Sequence, residues 1–363
     1  MPHLDFLLQN TPIYPFRFEP VYKTYLWGGN RFRTLFERPL PAEIPTAAES
    51  WEVCDHPNGQ SVIRNGPLRG KTLNEVVQQR PKELFGEACL NRTSSLPKRF
   101  PLLMKYLDAC EALSVQVHPD DRLAEELELS DRGKAEAWVV VDAAPESTIW
   151  IGTARPYTRK ELREAIRNQV PFETILNRVE AKVGDCFYLQ PGTLHALGKG
   201  VLVAEVQTVS DITFRLFDWN RLDADGRPRE LRIEEGIQAV TAPSKPVTVV
   251  SPRAMKPTRR NCERLVSGKH FTLNRWKFNA SISWKSDRRC HLWTVLEGSV
   301  DVLFTAGRRV SSREESGREA DPDAIEVLHR GDTLLVPASS NQIRWIPENN
   351  RPVVLLDVIV ENV

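Results

Sequence analysis

Four residues of types that bind divalent cations are spread over three segments of this sequence. Gln116 and His118 lie in Gln116-Val117-His118-Pro119-Asp120-Asp121, directly after the run Leu113-Ser114-Val115. On a strand, residues i and i+2 point to one face, so the glutamine amide and the imidazole look into the same space. Both are competent ligands for zinc or another divalent metal. Taken alone, the tripeptide reads more readily as a hydrogen-bonded strand histidine. Glu136 follows in Gly133-Lys134-Ala135-Glu136-Ala137-Trp138 and shares alternate positions with Trp138 and Val140. A carboxylate on such a face is costly to bury unless it is paired or holds a cation; the plainer reading is a strand-end glutamate paired with Lys134 in water. His195, in Pro191-Gly192-Thr193-Leu194-His195, follows a strand-turn unit, where it could equally steady the turn. Together the four offer a complete ligand set.

Cationic residues come next. Lys105 sits inside the apolar run Phe100–Leu107, where a lysine often marks an edge strand. Arg215 stands between Phe214 and Leu216, with Asp211 and Asp218 as the partners that a purely structural role would require. Lys105, Lys134 and Arg215 together could neutralise a phosphate monoester, which carries about −1.5 to −2 charges at neutral pH.

The elements that must position these groups read mostly as short strands. Trp276, Phe278, Ala280, Ile282 and Trp284 alternate with the period of a half-buried strand. Residues 291–304 read as a hairpin turning at Glu297-Gly298, and 327–347 as another turning at Gly331-Asp332. Helices are the minority. Thr72/Glu75 and Thr158/Glu161 form capping boxes before helical runs, and 121–136 is rich in helix formers. Residues 242–260 carry prolines and little periodicity, as a linker or extended crossing does. Residues 306–323 are charged and nearly free of large apolar groups, the pattern of an exposed loop.

An internal repeat gives the architecture. Residues 179–197 resemble 325–343: apolar strand, Gly-Asp turn, apolar strand, proline-containing turn, with a Trp-containing strand upstream of each. Two copies of one β-unit imply two related barrels. In spacing from the Gly-Asp turn, His195 falls on Gln342, beside Asn341, and His291 falls near Glu136. The second copy therefore lacks the histidine of the first.

Composition excludes several classes. The chain has 363 residues, enough for a large core, with 49 Lys plus Arg against 48 Asp plus Glu. A net charge of +1 gives no broad footprint for nucleic acid or an anionic membrane. No apolar stretch approaches the ~20 residues that span a bilayer, and the first ten residues lack a signal-peptide pattern. The six cysteines include no CxxC pair, and a reduced cytoplasm is the expected home.

The chain resembles the type I mannose-6-phosphate isomerases (phosphomannose isomerases), in their short bacterial form. The resemblance rests on Trp27-Gly28-Gly29, residues 48–59, 100–121, 133–138, 184–197 and 204–221. It implies a mainly β protein of two cupin barrels with a minor helical insertion. An N-terminal catalytic domain would span 1–245, with helical segments around 72–86, 121–134 and 158–178. A linker at 246–260 would lead to a C-terminal cupin-like domain, 261–363, without a metal site. The family's zinc ligands would fall on Gln116, His118, Glu136 and His195, one zinc per chain. Substrate contacts would fall on Lys105, Ser114, Lys134, Glu205, Asp211 and Arg215, and the catalytic arginine on Arg215. Lys105 and Lys134 would serve the phosphate and Arg215 the enediolate. The implied reaction interconverts mannose 6-phosphate and fructose 6-phosphate through a cis-enediol, with Glu205, Lys134 or a zinc-bound water as base. The implied partner is a small sugar phosphate, with neither nucleic acid nor membrane, and the chain is expected as a monomer or weak homodimer.

Three positions depart from the family pattern. Ala137 stands where a cysteine is usual, Glu205–Asp211 reads E-V-Q-T-V-S-D in place of E-I-Q-Q-N-S-D, and the long-form N-H-K-P-E signature is absent. None of them removes a ligand. The competing readings are a binding cupin without turnover, a metal cupin isomerase of another sugar phosphate, and an iron oxygenase. The last usually carries an H-x-H pair where this chain has Gln116, and Gln–His–Glu–His suits redox-silent zinc better.

Overall fold

The computed structural model describes residues 6–91, 95–223, 225–255, 261–304 and 324–363. It is mainly β. The chain divides into two compact units, one of Tyr22–Trp51 with Leu103–Val250, the other of Met1–Val21, Glu52–Leu102 and Ser251–Val363. The later boundary, at residue 251, falls inside the expected linker, while residues 1–21 and 52–102 group with the C-terminal part.

The first unit is built on two six-stranded sheets. One has the order Val21–Lys23, Glu49–Val53, Leu102–Asp108, Val201–Thr208, Glu136–Ala143, Cys186–Leu189. The other runs Phe214–Phe217, Val115–Val117, His195–Leu197, Thr148–Tyr157, Ser244–Pro246, with Leu176–Glu180 also on Thr148–Tyr157. Alternation explains the layering. Leu107, Trp138, Val140, Phe187, Val201 and Val203 of the first sheet share one buried cluster with Ile149, Ile151 and Leu197 of the second. The intervening residues of the second sheet, Val115, Val117, Leu194, Ala196, Phe214 and Leu216, join a different cluster with Leu162, Phe172 and Ile237 of the helices. Gln116, His195 and Arg215 therefore sit at the parity that faces the first sheet. Lys105, Glu136 and Glu205, at the parity of Leu107, Trp138 and Val203, face the second sheet in turn.

The helices are shorter than the sequence implies. Both capping boxes form, at Thr72 and Thr158. Pro81 starts a new helix, Pro81–Phe85, after Leu73–Gln79. The helix Arg159–Arg167 ends before Gln169, whose φ is 56°, and the chain returns as Phe172–Ile175 and then a strand. Instead of continuing to 134, the third helix is Asp121–Glu126, capped by Asp120 Oδ1, and Glu128 at φ 52° breaks it. The following segment folds back onto the helix start. Gly133 N donates to Asp121 Oδ1, Lys134 N to Pro119 O, and a Cβ on Gly133 would lie 2.4 Å from the Asp120 carbonyl carbon. That return delivers Lys134 and Glu136 to the interior beside His118.

The second unit also has two large sheets, besides the two-stranded ribbon of Asp55–His56 and Gly59–Gln60. One runs Arg253–Ala254, Cys262–Ser267, Phe271–Phe278, Val353–Val360, His291–Glu297, Thr333–Val336. The other runs Ile282–Lys285, Gln342–Pro347, Ser299–Phe304, Ala324–His329. Three sequence expectations need correction here. The run 276–284 is two strands in different sheets, broken at the exposed residues Asn279–Ser281. His291–Glu297 and Ser299–Phe304 do not pair as a hairpin. The first pairs with Val353–Val360, the second with Ala324–His329, and the chain changes sheet at Gly298, φ 80°. Ala324–His329 and Thr333–Val336 likewise lie in different sheets, around Gly331 at φ 93°. The first copy of the repeat turns the same corner at Gly184, φ 88°, between Leu176–Glu180 and Cys186–Leu189. A positive φ at these corners suits glycine.

The charged loop expected at 306–323 lies outside the described residues, as do 256–260 of the linker. Among the described residues no helix is long and apolar enough to cross a membrane. None of the six cysteines forms a disulfide.

Candidate metal centre

Between the two sheets of the first unit, some side chains at the parity of the apolar core are polar. His118, Glu136 and His195 converge there. One ligand atom from each lies within 4.8 Å of the others. His118 Nε2 is 3.5 Å from Glu136 Oε2, and His195 Nε2 is 3.3 Å from Glu136 Oε1. All three are buried. Each imidazole donates its Nδ1–H outward, His118 to Ile212 O at 2.8 Å and His195 to Thr193 O at 2.9 Å. That fixes the tautomer and leaves both Nε2 lone pairs aimed at the shared space. The Gln116 amide lies 3.1 Å from His195 Nε2 across a strand pair in which the two residues are register partners. Amide nitrogen and oxygen are exchangeable by a flip, so Gln116 can offer its oxygen to the same point.

Two buried polar atoms of this cluster are left without a partner, His118 Nε2 and Glu136 Oε1; Glu136 Oε2 faces the Lys134 ammonium, and the Gln116 amide lies against His195 Nε2. Leaving such atoms buried and unmade costs about 1–3 kcal/mol each, and a cation at the centre would satisfy both. Two imidazoles, a carboxylate and an amide oxygen suit a borderline divalent ion. The protonation pattern agrees. Burial, then Lys134, pushes His118 down to about 3, and burial lowers His195, so both are neutral ligands at neutral pH. Burial alone would raise Glu136, but Lys134 and His118 outweigh it and keep the carboxyl well below its usual range.

Around the ligands lies a tight charge network. Lys134 Nζ is 3.0 Å from Glu136 Oε2 and 3.8 Å from Glu205 Oε1. Lys105 Nζ is 3.1 Å from Glu49 Oε2 and 3.5 Å from Glu205 Oε1. Lys105 is not on an edge. Its strand lies between Glu49–Val53 and Val201–Thr208. Burial opposes its charge, yet Glu205 and Glu49 raise its pKa above the ordinary lysine value. Glu205 accepts from Trp138 Nε1 at 2.9 Å through Oε2, while its Oε1 has no hydrogen-bond partner. Burial and then Glu136 push this carboxyl up to about 7.

Toward the surface, Arg215 pairs in register with Gln116, and its Nε donates to Ser114 Oγ at 3.1 Å. It makes neither of the ion pairs a structural role required. Asp218 is held by Arg221 at 2.5 Å, and Asp211, which is exposed, donates its backbone N–H to Asp131 Oδ2 at 3.0 Å. The expected residues thus fall in three places. Gln116, His118, Glu136 and His195 form the centre, Lys105, Lys134 and Glu205 flank it, and Ser114, Arg215 and Asp211 lead outward. Glu49 is the member that sequence reasoning missed. Its signal was an acidic residue in the otherwise buried strand Glu49–Val53.

A family model described as phosphomannose isomerase type I, catalytic domain, matches residues 15–137. A probable mannose-6-phosphate isomerase of Bacillus subtilis is 37% identical over 292 residues, covering 80% of this chain and 88% of its own length. The mannose-6-phosphate isomerase of Streptococcus mutans is 38% identical over 318 residues, covering 87% of this chain and 95% of itself. The crystal structure of the mannose 6-phosphate isomerase from Bacillus subtilis superposes with a TM-score of 0.81 at 32% identity, over 95% of this chain and 99% of that one.

Proposed function

This chain belongs to the type I phosphomannose isomerase family and is an isomerase, and from that premise we propose that it is a zinc-dependent aldose-ketose isomerase interconverting mannose 6-phosphate and fructose 6-phosphate through a cis-enediol. The observation that carries the reading is the buried pair of ligand atoms without hydrogen-bond partners, His118 Nε2 and Glu136 Oε1, where two imidazoles and a carboxylate converge. Gln116, His118, Glu136 and His195 would hold one zinc, which supplies Lewis-acid polarisation of the C1 and C2 oxygens. In this reading the unit carrying the site is a cupin barrel, a second cupin-like barrel lacks the metal, and the enzyme works in the cytoplasm.

The chain's own residues divide the remaining work. Glu205 is the base. Trp138 orients it through one oxygen, the other is free for the proton that moves between C2 and C1, and a pKa near 7 suits both taking and returning it. Lys134 and Lys105 neutralise the carboxylates and keep the pocket from repelling the developing enediolate. Lys134 is less suited as base because Glu136 already holds it at 3.0 Å. Arg215, beside Gln116, offers its guanidinium to the enediolate oxygens, with Ser114 setting its angle. Lys105, Ser114 and Asp211 complete the substrate contacts.

The test is release of fructose 6-phosphate from mannose 6-phosphate after chelation and after zinc is resupplied. Turnover lost on chelation and restored by zinc is expected. Folded, zinc-loaded protein without turnover would overturn the reading. Arg215→Ala should lower kcat about 100-fold or more with zinc content unchanged; an unchanged rate would remove that role.

A further inference from the structure

Lys134 holds two distances at once, 3.0 Å to Glu136 Oε2 and 3.8 Å to Glu205 Oε1. Yet it lies on no regular element, in the stretch between the helix Asp121–Glu126 and the strand Glu136–Ala143. A backbone outside helix and sheet fixes a side chain only where other groups take up its N–H and C=O.

Those groups come from two sides. On one, Asp121 Oδ1 accepts from Gly133 N and Pro119 O from Lys134 N. On the other stands the end of the strand Val201–Thr208 with the turn that follows it. Thr208 N donates to Ala135 O at 3.0 Å. Ala135 N donates to Thr208 Oγ1 at 3.2 Å, and Thr208 Oγ1 donates to Gly133 O at 3.0 Å. One hydroxyl thus bridges the two neighbours of Lys134, as acceptor from one and donor to the other. The turn extends the clamp. Ser210 Oγ donates to Arg132 O at 2.8 Å and Asp211 N to Asp131 Oδ2 at 3.0 Å. Gln207 Nε2 donates to Thr208 O at 3.1 Å and Ser210 O at 2.7 Å, which ties the turn to its own strand. Gly133, Ala135, Thr208 and Ser210 are all buried, so water does not compete for these bonds. Thr208 is also one of the positions at which the stretch 205–211 departs from the family pattern.

We propose that Thr208 is a positioning residue for the isomerisation: its hydroxyl, spanning Gly133 O and Ala135 N, holds the Lys134 ammonium at its working distance from Glu136 and Glu205. The assignment rests on the isomerase reading above and adds to it the group that sets Lys134 in place. Lys134 offsets charge that grows toward the enediolate, so a displaced ammonium weakens the transition state more than the bound sugar phosphate. A misplacement of about 1 Å is enough for a large loss of rate.

Thr208→Val in the zinc-loaded, full-length enzyme keeps the shape and removes the hydroxyl. The kcat for mannose 6-phosphate should fall about tenfold, with KM and zinc content little changed, and Thr208→Ser should restore the rate. Because Thr208 acts through Lys134, the same substitution made in Lys134→Met should cost less than about twofold. Thr208→Ala leaves room for water at the freed backbone groups and carries the same expectations if the valine variant does not fold. An unchanged kcat, an equal loss in both backgrounds, or a loss that serine does not restore would overturn the proposal. If the wild-type enzyme has no turnover, the isomerase reading fails instead. Amide hydrogen exchange still tests the clamp in that case. Exchange at Ala135 should be about tenfold faster in Thr208→Val than in wild type, with the strand His291–Glu297 unchanged, and equal exchange at Ala135 would show that the hydroxyl holds nothing.

Discussion

The two units place different side chains at the same positions of the same corner, and the contrast shows what suits one of them to hold a metal. Glu136 pairs with Leu189, five residues after Gly184, and His291 pairs with Val336, five residues after Gly331. Glu205 faces Trp138 across its strand pair as Asp357 faces Trp293. His195 pairs with Gln116, and Gln342 pairs with Lys285, which puts Asp287 at the place of His118. The chemistry is inverted. In the first unit two imidazoles flank a carboxylate, and His118 Nε2 and Glu136 Oε1 lack a hydrogen-bond partner. In the second unit two carboxylates flank one imidazole, with His291 Nδ1 2.6 Å from Asp357 Oδ1 and Nε2 2.9 Å from Asp287 Oδ1. Asn274 and Arg289 bind the outer oxygens of these aspartates. That network is satisfied from within and leaves no atom for a cation.

The largest effect that would break this comparison is loss of a ligand. Glu136→Gln should abolish tight metal binding and lower turnover by ~1000-fold or more, because the charge that balances the ion is gone; zinc analysis and the coupled assay read it. Next is the base. kcat/KM should rise with pH as Glu205 loses its proton, with a midpoint no higher than about 7 since a bound cation pulls it down. Glu205→Gln should lower kcat about 100-fold or more and remove that limb of the profile.

Stability sharpens the other side of the comparison. Burial opposes the charge on His291, but Asp357 and Asp287 raise its pKa to about 9, above the unfolded value near 6.5. A raised folded pKa stabilises fully below about 6.5 and is lost as pH climbs through about 9, a span worth about 3 kcal/mol. Asp357→Ala should therefore cost about 3–5 kcal/mol in denaturant unfolding by leaving buried charge unpaired, and flatten the alkaline limb of the stability profile. The metal content should not change. The smallest effect is expected for Gln342→His. It restores the histidine that the repeat lacks, yet Asp287 and Asp357 already claim His291, so metal stoichiometry should remain one per chain.

Much of the first unit was legible because strand parity is local. Gln116 and His118 on one face, Glu136 with Trp138, and the Gly-Asp corners all follow from a period of two and from glycine's tolerance of positive φ. The hairpins at 291–304 and 327–347 misread because sequence shows where a strand ends but not which sheet takes up the next one. Glu297-Gly298 and Gly331-Asp332 are corners between sheets, not turns within one. The helix at 121–134 stopped early because contacts distant from it, from Asp121 Oδ1 and Pro119 O to Gly133 and Lys134, draw the chain back. The Asp287–His291–Asp357 network was hidden for the same reason. Asp357 lies 66 residues from His291, and only the register of two strands brings them together.

The most direct test of the account is the metal stoichiometry of the chelated and zinc-titrated protein, measured together with turnover of mannose 6-phosphate. The account predicts that turnover rises linearly with zinc and saturates at one zinc per chain. Saturation at two per chain, or full turnover in metal-free protein, would contradict it.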